Sequence, residues 1–364
     1  MPELKVTPLC PVFGRCGGCA YQDIPYTEEL KEKEAWLRRL VARDLVSCVD
    51  KIEPIAASPR EYHYRHRLDL KIIRSKTNEY FMGFSPSGRG KIVPVTSCAI
   101  AQEAVSNFLP SLKEAAIAKW SAKYKEANLV VRTGNDGRVL WGGIGRRSLQ
   151  LKEEDYLWTE INGRKIFYSL DTFFQGNLSI LPYLIEKMAC LNFWDERPVL
   201  YDLYGGVGLF SLGLIDKVER AVLIEECPAS IRVAKFNQAY HHLDHWQIIQ
   251  GRVEKDFPPL LEKDPDAFSV VIIDPPRDGL SQEALSLLTQ AQKINYLLYL
   301  SCNPDTLVGN LIDFTRAGWQ IEKIIPFDFF PKTKHLETLT VLRHELTRIT
   351  HELARIKKFV SIRV

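Results

Sequence analysis

Residues 201–209 read YDLYGGVGL, an apolar run that passes into a glycine-rich turn and then into a second apolar stretch. We interpret this as a strand, a turn and the start of a helix, because glycines let the backbone turn sharply and approach a ligand. Four short apolar segments alternate with helical stretches from about residue 170 onward: Val199–Leu203, Arg220–Ile224, Val270–Ile273 and Tyr296–Leu300. This alternation predicts a parallel, doubly wound α/β sheet whose strands are buried on both faces.

An acidic residue follows the glycine-rich turn at the end of the second predicted strand. Glu225 lies 23 residues after Asp202, and a carboxylate in this place can accept hydrogen bonds from both ribose hydroxyls of an adenosyl group. NAD is the competing ligand, but residues 205–208, GGVG, do not space their glycines as G-x-G-x-x-G requires. The pattern therefore favours S-adenosylmethionine. The remaining alternative is a structural turn with a surface glutamate.

Two further predicted strands end in residues that could carry chemistry. Residues 271–280, VIIDPPRDGL, place Asp274 before two prolines, and Arg277 stands where amino-group methyltransferases usually have an aromatic residue. Residues 299–304, YLSCNP, place Cys302 at the end of another strand. A lone cysteine is more often a core residue. The polar surroundings of Cys302 instead favour a thiol that faces the ligand crevice, which lies at the carboxyl ends of such strands.

A thiol beside an adenosyl cofactor suits methylation of uracil at carbon 5, which is too weak a nucleophile to attack a methyl group directly. Addition of a thiolate at carbon 6 turns the base into an enolate, and a base must later remove the C5 proton so that the thiolate can leave. Residues 330–337, FPKTKHLE, supply Glu337 as that base, ahead of a predicted strand Thr338–Leu342. His335 is the second choice. A reactive thiol implies a depressed pKa for Cys302.

The ordered motifs DLYGGVG, DPPRDGL, SCNPDTL and FPKTKHLE resemble those of the RNA 5-methyluridine methyltransferase family, whose members modify tRNA or 23S ribosomal RNA. The resemblance spans most of the chain. It implies Cys302 as the nucleophile and Glu337 as the base that abstracts the proton. It also implies cofactor contacts from four residues: Gln175, Tyr204, Glu225 and Asp274.

Three of the eight cysteines crowd the N-terminus, in an irregular segment that nothing marks as secreted: Cys10, Cys16 and Cys19. Clustered cysteines in such a chain indicate metal ligation before disulfides. With Cys98, they resemble the iron–sulfur motif of family members that carry a [4Fe–4S] cluster, for which four thiolates are the usual ligands. Zinc is the physical alternative. We expect the cluster to staple the N-terminus onto the following domain, in a structural or RNA-positioning role.

Residues 52–97 alternate short apolar runs with Gly, Ser and Pro turns, which predicts a β-rich region. Within it, residues 59–91 hold eight Lys or Arg against three Asp or Glu. Four aromatic or imidazole side chains are interleaved with them: Tyr62, His63, Tyr64 and His66. This composition suits RNA binding through phosphates and base stacking. The alternative is a solvated sheet face with an ordinary excess of charge.

The resemblance implies an α/β chain of three parts. Residues 1–50 form a Cys-rich iron–sulfur segment plus a helix that begins near Thr27, 51–165 a β-rich central RNA-binding domain, and 166–364 a Rossmann-like class I methyltransferase domain. No N-terminal barrel domain precedes the cysteines, which favours 23S ribosomal RNA over tRNA as the substrate. Residues beyond the usual family end carry a helical stripe that favours packing over function: Leu346, Ile349, Leu353, Ile356 and Val360.

Length and charge agree with an RNA-modifying enzyme. A chain of 364 residues exceeds the usual size of a single core, and a net charge of +3 requires any nucleic-acid surface to be a local patch. Without an 18-residue apolar run or a signal peptide, we expect a soluble, cytoplasmic monomer that uses no membrane and no obligatory protein partner. Two other functions compete: a non-catalytic RNA-binding factor that keeps the fold, and a small-molecule methyltransferase.

Overall fold

The computed structural model of the chain describes residues 5–143, 151–263 and 266–344. The helical stripe predicted from residue 346 onward lies outside these residues. Across the described part of the chain, no helix combines the length and the apolar character that crossing a membrane requires.

The chain folds into two compact units, each built from three stretches of sequence. The first comprises Met1–Lys33, Ala57–Leu184 and Asp328–His335. The second comprises Glu34–Ala56, Ile185–Phe327 and Leu336–Val364. The division into three domains that the sequence suggests stays a prediction.

The N-terminal half of the chain contains a helix followed by mostly β structure. Its elements in chain order are α1 (Tyr26–Asp44), β1 (Arg67–Arg74), β2 (Tyr80–Phe84), β3 (Val93–Pro94), α2 (Glu103–Ala118), β4 (Glu126–Thr133), β5 (Val139–Gly142), β6 (Leu157–Ile161), β7 (Arg164–Tyr168) and α3 (Leu181–Ala189). The predicted helix near Thr27 and the predicted β-rich region are both present.

The sheet of the first unit has the order β3-β2-β1-β4-β5 and is antiparallel throughout. Alternate residues of β1 face inward, as a strand with one buried face requires: Leu68, Leu70 and Ile72. They pack on the apolar side of α2, where Val105, Leu109 and Leu112 are fully buried. Strands β6 and β7 form a separate hairpin.

The C-terminal half alternates strands and helices. Its elements are β8 (Val199–Leu203), α4 (Leu209–Leu214), β9 (Arg220–Glu225), α5 (Pro228–Tyr240), β10 (Trp246–Gln250), α6 (Val253–Asp256), α7 (Pro258–Lys263), β11 (Ser269–Ile273), α8 (Gln282–Gln290), β12 (Tyr296–Ser301), α9 (Pro304–Arg316), β13 (Trp319–Phe327) and β14 (Glu337–His344). All four strands predicted from apolar runs are present. Every residue of β8, β11 and β12 is buried, as expected for central strands covered on both faces.

Within the described residues, the sheet of the second unit has seven strands in the order β10-β9-β8-β11-β12-β14-β13. Strands β8 to β12 run parallel to one another, whereas β14 is antiparallel to both β12 and β13. The prediction of a parallel sheet is therefore wrong for β14. The physical reason is the short connection, residues 328–336, because a parallel pairing of consecutive strands requires a crossover of a dozen or more residues.

The register of the parallel strands brings their carboxyl ends to one edge of the sheet. Leu203, the last residue of β8, pairs with Ile224 of β9 and with Ile273 of β11, and Ile273 pairs with Tyr299 of β12. The residues that directly follow these strands therefore meet at one edge. In α/β sheets this edge is where ligands bind.

Candidate active site

The turn after β8 has an unusual backbone. Tyr204 has a φ of 59°, and Gly206 and Gly208 have φ of 55° and 89°. A Cβ on Gly208 would lie 2.3 Å from the Trp246 ring, so only glycine fits there, whereas a Cβ on Gly206 would meet nothing within 4 Å. A left-handed tyrosine is uncommon, and such strain concentrates at ligand sites. The turn is therefore closely packed against Trp246 at Gly208 and borders open space at Gly206.

Glu225 fixes the shape of this turn. One carboxylate oxygen, Oε2, accepts a hydrogen bond from the Gly206 N–H at 3.0 Å, and Oε1 accepts one from the Cys227 N–H at 2.7 Å. Because each carboxylate oxygen can accept more than one hydrogen bond, both can still receive a hydroxyl. The carboxylate predicted to bind ribose thus also holds the glycine-rich backbone in place.

Asp202, to which the sequence assigned no separate role, is buried beneath the turn. Its Oδ2 accepts hydrogen bonds from the backbone N–H and the hydroxyl of Ser211, at 2.9 and 2.6 Å, which ties the turn to α4. Its Oδ1 is buried without a hydrogen-bond partner among the described residues. Burial raises the pKa of Asp202 to about 7, the Ser211 hydrogen bonds oppose this rise, and the charge of Glu225 adds to it. The signal in the sequence that could have identified Asp202 is its position three residues before Gly205, the first glycine of the turn.

Cys302 lies directly after β12 and is half-buried. The next residue, Asn303, caps α9 by accepting a hydrogen bond from the Asp305 N–H at 3.2 Å. Its Nδ2 also donates to the backbone oxygen of Arg277 at 3.3 Å, which joins the loop after β11 to the loop after β12. The Arg277 side chain hydrogen-bonds Cys302.

The predicted depressed pKa of Cys302 is wrong for this structure. Burial raises the pKa of the thiol to about 11, and the negative charges of Glu337 and Asp274 raise it further, while Arg277 opposes the rise. One guanidinium does not outweigh burial and two carboxylates. The free protein therefore holds Cys302 as a protonated thiol at neutral pH.

Glu337 is the first residue of β14 and is 1% exposed. Burial, followed by the charge of Asp274, raises the pKa of its carboxyl well above the usual range, and Arg277 opposes that rise. Its Oε1 has no hydrogen-bond partner among the described residues. A buried carboxylate with a raised pKa is a strong proton acceptor, which is the property that a general base requires.

Five of the six residues predicted for catalysis or cofactor binding lie at this edge of the second unit: Tyr204, Glu225, Asp274, Cys302 and Glu337. Burial raises the pKa of Tyr299, and the negative charges of Tyr204, Cys302 and Asp274 raise it further. These three groups therefore lie close to Tyr299. Its hydroxyl donates to Asn310 Oδ1 at 2.8 Å. Sequence reasoning does not single out Tyr299, because a tyrosine within a buried strand is usually a core residue.

Gln175 belongs to the first unit. It is 3% exposed, and its backbone oxygen lies 3.0 Å from Nε2 of the buried His66. The cofactor contact predicted for Gln175 stays a prediction.

The basic and aromatic segment is less open than the sequence suggested. Tyr64 is 1% exposed and donates its hydroxyl to the Pro331 carbonyl, and His66 is fully buried between the carbonyls of Thr133 and Gln175. Neither ring can stack on a base, so the prediction of stacking is wrong for these two. Tyr62 and His63 remain partly exposed.

Four cysteines of the first unit line one cavity of about 110 Å³: Cys10, Cys16, Cys19 and Cys98. All four are free of disulfides. Gln22, 1% exposed, accepts a hydrogen bond from the Cys10 N–H at 3.0 Å and also bonds Cys19. Burial raises the pKa of Cys19 to about 12, and the other three sulfurs add to this rise. Among residues 5–143, 151–263 and 266–344, no group of three or more His, Cys, Asp or Glu is placed to hold a metal ion.

The strand order and the turn held by Glu225 define the second unit as a Rossmann-like methyltransferase domain. Residues 144–345 match the tRNA (uracil-5-)-methyltransferase family, which is more than half of the chain. The chain belongs to this family and is an RNA uracil-C5 methyltransferase that depends on S-adenosylmethionine.

Individual relatives are similar over nearly the whole chain. The 23S rRNA (uracil(1939)-C(5))-methyltransferase RlmD of Haemophilus parainfluenzae is 28% identical over 93% of this chain and 82% of its own length. An uncharacterized RNA methyltransferase of Aquifex aeolicus is 25% identical over 92% and 83%. The crystal structure of the Pyrococcus abyssi tRNA (uracil-54, C5)-methyltransferase with S-adenosyl-L-homocysteine has a TM-score of 0.69 at 20% identity, covering 93% of this chain and 88% of that one. The similarity to the Pyrococcus abyssi structure shows that the two chains share a fold.

The charge balance around Cys302 predicts how its thiol reacts. Replacing Glu337 by Gln removes a carboxylate that raises the pKa of Cys302. The alkylation rate of Cys302 by iodoacetamide at pH 8 should therefore rise about 3- to 10-fold, since one pKa unit changes the thiolate fraction tenfold. Peptide mass spectrometry measures the rate at each cysteine, with the exposed Cys190 as the internal reference.

The matched control for this measurement is Glu283→Gln, an exposed glutamate at the start of α8. This substitution should leave the alkylation rate of Cys302 unchanged. An unchanged or lower rate in Glu337→Gln would contradict the electrostatic description of the site.

Proposed function

We propose that this enzyme methylates C5 of a uridine in structured RNA through a transient bond between Cys302 and C6 of the base. The observation that carries the proposal is the buried Glu337 carboxyl, whose charge raises the pKa of the Cys302 thiol and whose Oε1 has no hydrogen-bond partner within the described part of the chain. A nucleophile beside a general base is the arrangement that covalent catalysis uses. Because a duplex or a folded RNA hides the base edge, the uridine must be flipped out to reach these groups.

In the first step, Cys302 loses its proton and its thiolate sulfur bonds to C6, while the C5–C6 π electrons move toward O4. The thiol proton leaves to water, which the half-buried Cys302 can reach, and the guanidinium of Arg277 hydrogen-bonds the sulfur that must carry negative charge. The resulting enolate makes C5 nucleophilic.

In the last step, Glu337 removes the proton from the methylated C5. The electrons of the C–H bond re-form the C5–C6 double bond and expel the Cys302 thiolate, which restores the enzyme. The burial and raised pKa of Glu337 make its carboxylate a good acceptor.

We propose that Tyr204, Glu225, Asp274 and Gln175 bind S-adenosylmethionine. When bound, this cofactor supplies an electrophilic methyl group on a sulfonium sulfur. Three features of the second unit fit it: the open space at Gly206, the fixed carboxylate of Glu225 with accepting capacity left, and Asp202 Oδ1, to which no described residue hydrogen-bonds. Glu225 would hold the ribose hydroxyls, and Tyr204 would contact the cofactor from its left-handed position in the turn.

Two substitutions should separate the two chemical roles. Glu337→Gln should retain bond formation but block proton removal, so a covalent protein–RNA species should accumulate while turnover falls 10²- to 10⁴-fold. Cys302→Ala should form no such species and no product. A gel-shift assay under denaturing conditions measures the adduct, and quantification of 5-methyluridine measures turnover.

Cys190→Ala provides the control, since this exposed cysteine lies in the same unit and should behave as the wild type. Full activity of Cys302→Ala would refute the covalent route. Absence of an adduct in Glu337→Gln, with product still formed, would remove Glu337 from its role.

We propose 23S ribosomal RNA as the substrate in preference to tRNA. The support is the similarity to several proteins named as 23S rRNA (uracil(1939)-C(5))-methyltransferases, at 26–28% identity over 93% of this chain. Tertiary shape selects the uridine in such RNA, and no short motif of the protein encodes it.

Deletion of the gene should remove 5-methyluridine from one position of 23S ribosomal RNA and leave tRNA unchanged. Mapping of 5-methyluridine in total RNA from cells with and without the gene measures this. The wild-type gene should restore the modification and the Cys302→Ala gene should not. Loss of 5-methyluridine from tRNA alone would contradict the choice of substrate.

We further propose that Cys10, Cys16, Cys19 and Cys98 hold a [4Fe–4S] cluster. The support is that four free thiols, the usual donors for such clusters, line one cavity. In the protein without a metal, burial and mutual repulsion keep Cys16, Cys19 and Cys98 protonated. A bound cationic centre reverses this preference because thiols ionise on ligation. The cluster would supply a structural cross-link between the N-terminal segment and β-rich residues of the first unit.

Anaerobically purified protein should contain about four iron and four sulfide per chain. Cys98→Ser should lose most of the iron, whereas Cys190→Ser should retain it. Metal analysis together with visible absorption spectra measures both. One zinc per chain would establish the alternative, and absence of any metal would refute both readings of these cysteines.

A further inference from the structure

A buried network of charged side chains surrounds the segment Asp328–His335 in the first unit. Lys33 Nζ donates to Glu29 Oε1 at 2.8 Å, to Asp328 Oδ1 at 2.7 Å and to the Phe330 carbonyl at 3.1 Å. The side chains of Lys33, Glu29 and Asp328 are 1%, 0% and 0% exposed. The methylation mechanism uses none of these groups.

Lys332 brings a second buried cation into the same network. Its side chain is 2% exposed, and its Nζ lies 3.1 Å from Glu61 Oε2 and 3.6 Å from Glu29 Oε2. The ammonium also lies over the rings of Tyr26 and Tyr62, at 5.0 and 5.3 Å from their centres. Carboxylates and π faces therefore compensate the charge of the buried ammonium.

The backbone of Lys332 is fixed as tightly as its side chain. Its N–H donates to Glu29 Oε1 at 2.6 Å. Its carbonyl accepts hydrogen bonds from the N–H groups of Ala20 and Tyr21, at 2.8 and 3.1 Å, directly after Cys19 in the chain. Its φ of 67° lies in the left-handed region, which is unfavourable for a residue with a side chain.

Buried ion pairs are poor evidence for stability, because the loss of hydration offsets much of the attraction. Their best attested effect is to select one arrangement of the chain over others. Two lysines, three acidic residues and a strained backbone conformation at one short segment therefore indicate that the position of this segment matters more than the stability that the network adds. Four residues separate Lys332 from Glu337 along the chain.

We propose that Lys332 is a positioning residue for the reaction, and that the buried network fixes the segment Asp328–His335 so that Glu337 is held in place to remove the C5 proton. The inference rests on the proposed function, because it gives the network a purpose only if Glu337 is the base. A loosened segment would impair proton removal and leave the attack by Cys302 intact.

The test compares Lys332→Met with Lys334→Met, which changes an exposed lysine two residues away. Rapid-quench assays measure the rate at which the covalent protein–RNA species forms and the rate at which it breaks down to product. Lys332→Met should slow breakdown at least 10-fold and change formation less than 3-fold, so the adduct accumulates as in Glu337→Gln. Lys334→Met should match the wild type in both rates.

Equal slowing of both steps in Lys332→Met, or no change in either, would overturn the proposal, because a merely structural role does not single out breakdown. Where Lys332→Met does not fold, Glu61→Gln decides: Glu61 is 47% exposed and pairs with Lys332 Nζ. This variant should slow breakdown about 3-fold and leave formation unchanged, and equal rates to the wild type would overturn the proposal. Absence of an adduct in Glu337→Gln would instead count against the proposed function.

Discussion

The site depends on a charge balance between the guanidinium of Arg277 and three groups that can each become negative. These groups are the Cys302 thiol and the carboxyls of Glu337 and Asp274. Arg277 interacts with both Cys302 and Glu337, and Asp274 raises the pKa of both. Because Glu337 is buried and its charge is poorly screened, the site resists holding all three negative charges at once. A thiol that stays protonated in the free protein is protected from chance alkylation and oxidation, which attack the thiolate. On this account, attack becomes favourable when the substrate pyrimidine accepts the negative charge of the thiolate.

The strand order explains why these groups meet. Parallel strands β11 and β12 deliver Asp274 and Cys302 at adjacent carboxyl ends, and β14 brings in Glu337 at its amino end because it runs the other way. Ser301, the last residue of β12, pairs with Thr338, which directly follows Glu337. An additional parallel strand would present its carboxyl end here instead. The antiparallel strand thus places the proposed base beside the nucleophile.

The sequence predicted the parts of the molecule that depend on local pattern. Apolar runs located β8, β9, β11 and β12, and the motifs located Cys302 and Glu337 at strand ends. It did not predict what depends on distant neighbours. The direction of β14, the raised pKa of Cys302 and the burial of Tyr64 and His66 all follow from residues far apart in the chain. A basic, aromatic composition does not indicate whether the rings face solvent or the interior, and the rings of Tyr64 and His66 face the interior.

The central claim is that a sulfur atom of Cys302 bonds to the target pyrimidine. RNA containing 5-fluorouridine tests it most directly, because a fluorine at C5 replaces the proton that must leave and so prevents breakdown. With S-adenosylmethionine present, the intact mass of the protein should increase by that of one methylated RNA, and digestion should place the attachment on Cys302. An unmodified protein mass, or attachment at another residue, would contradict the account.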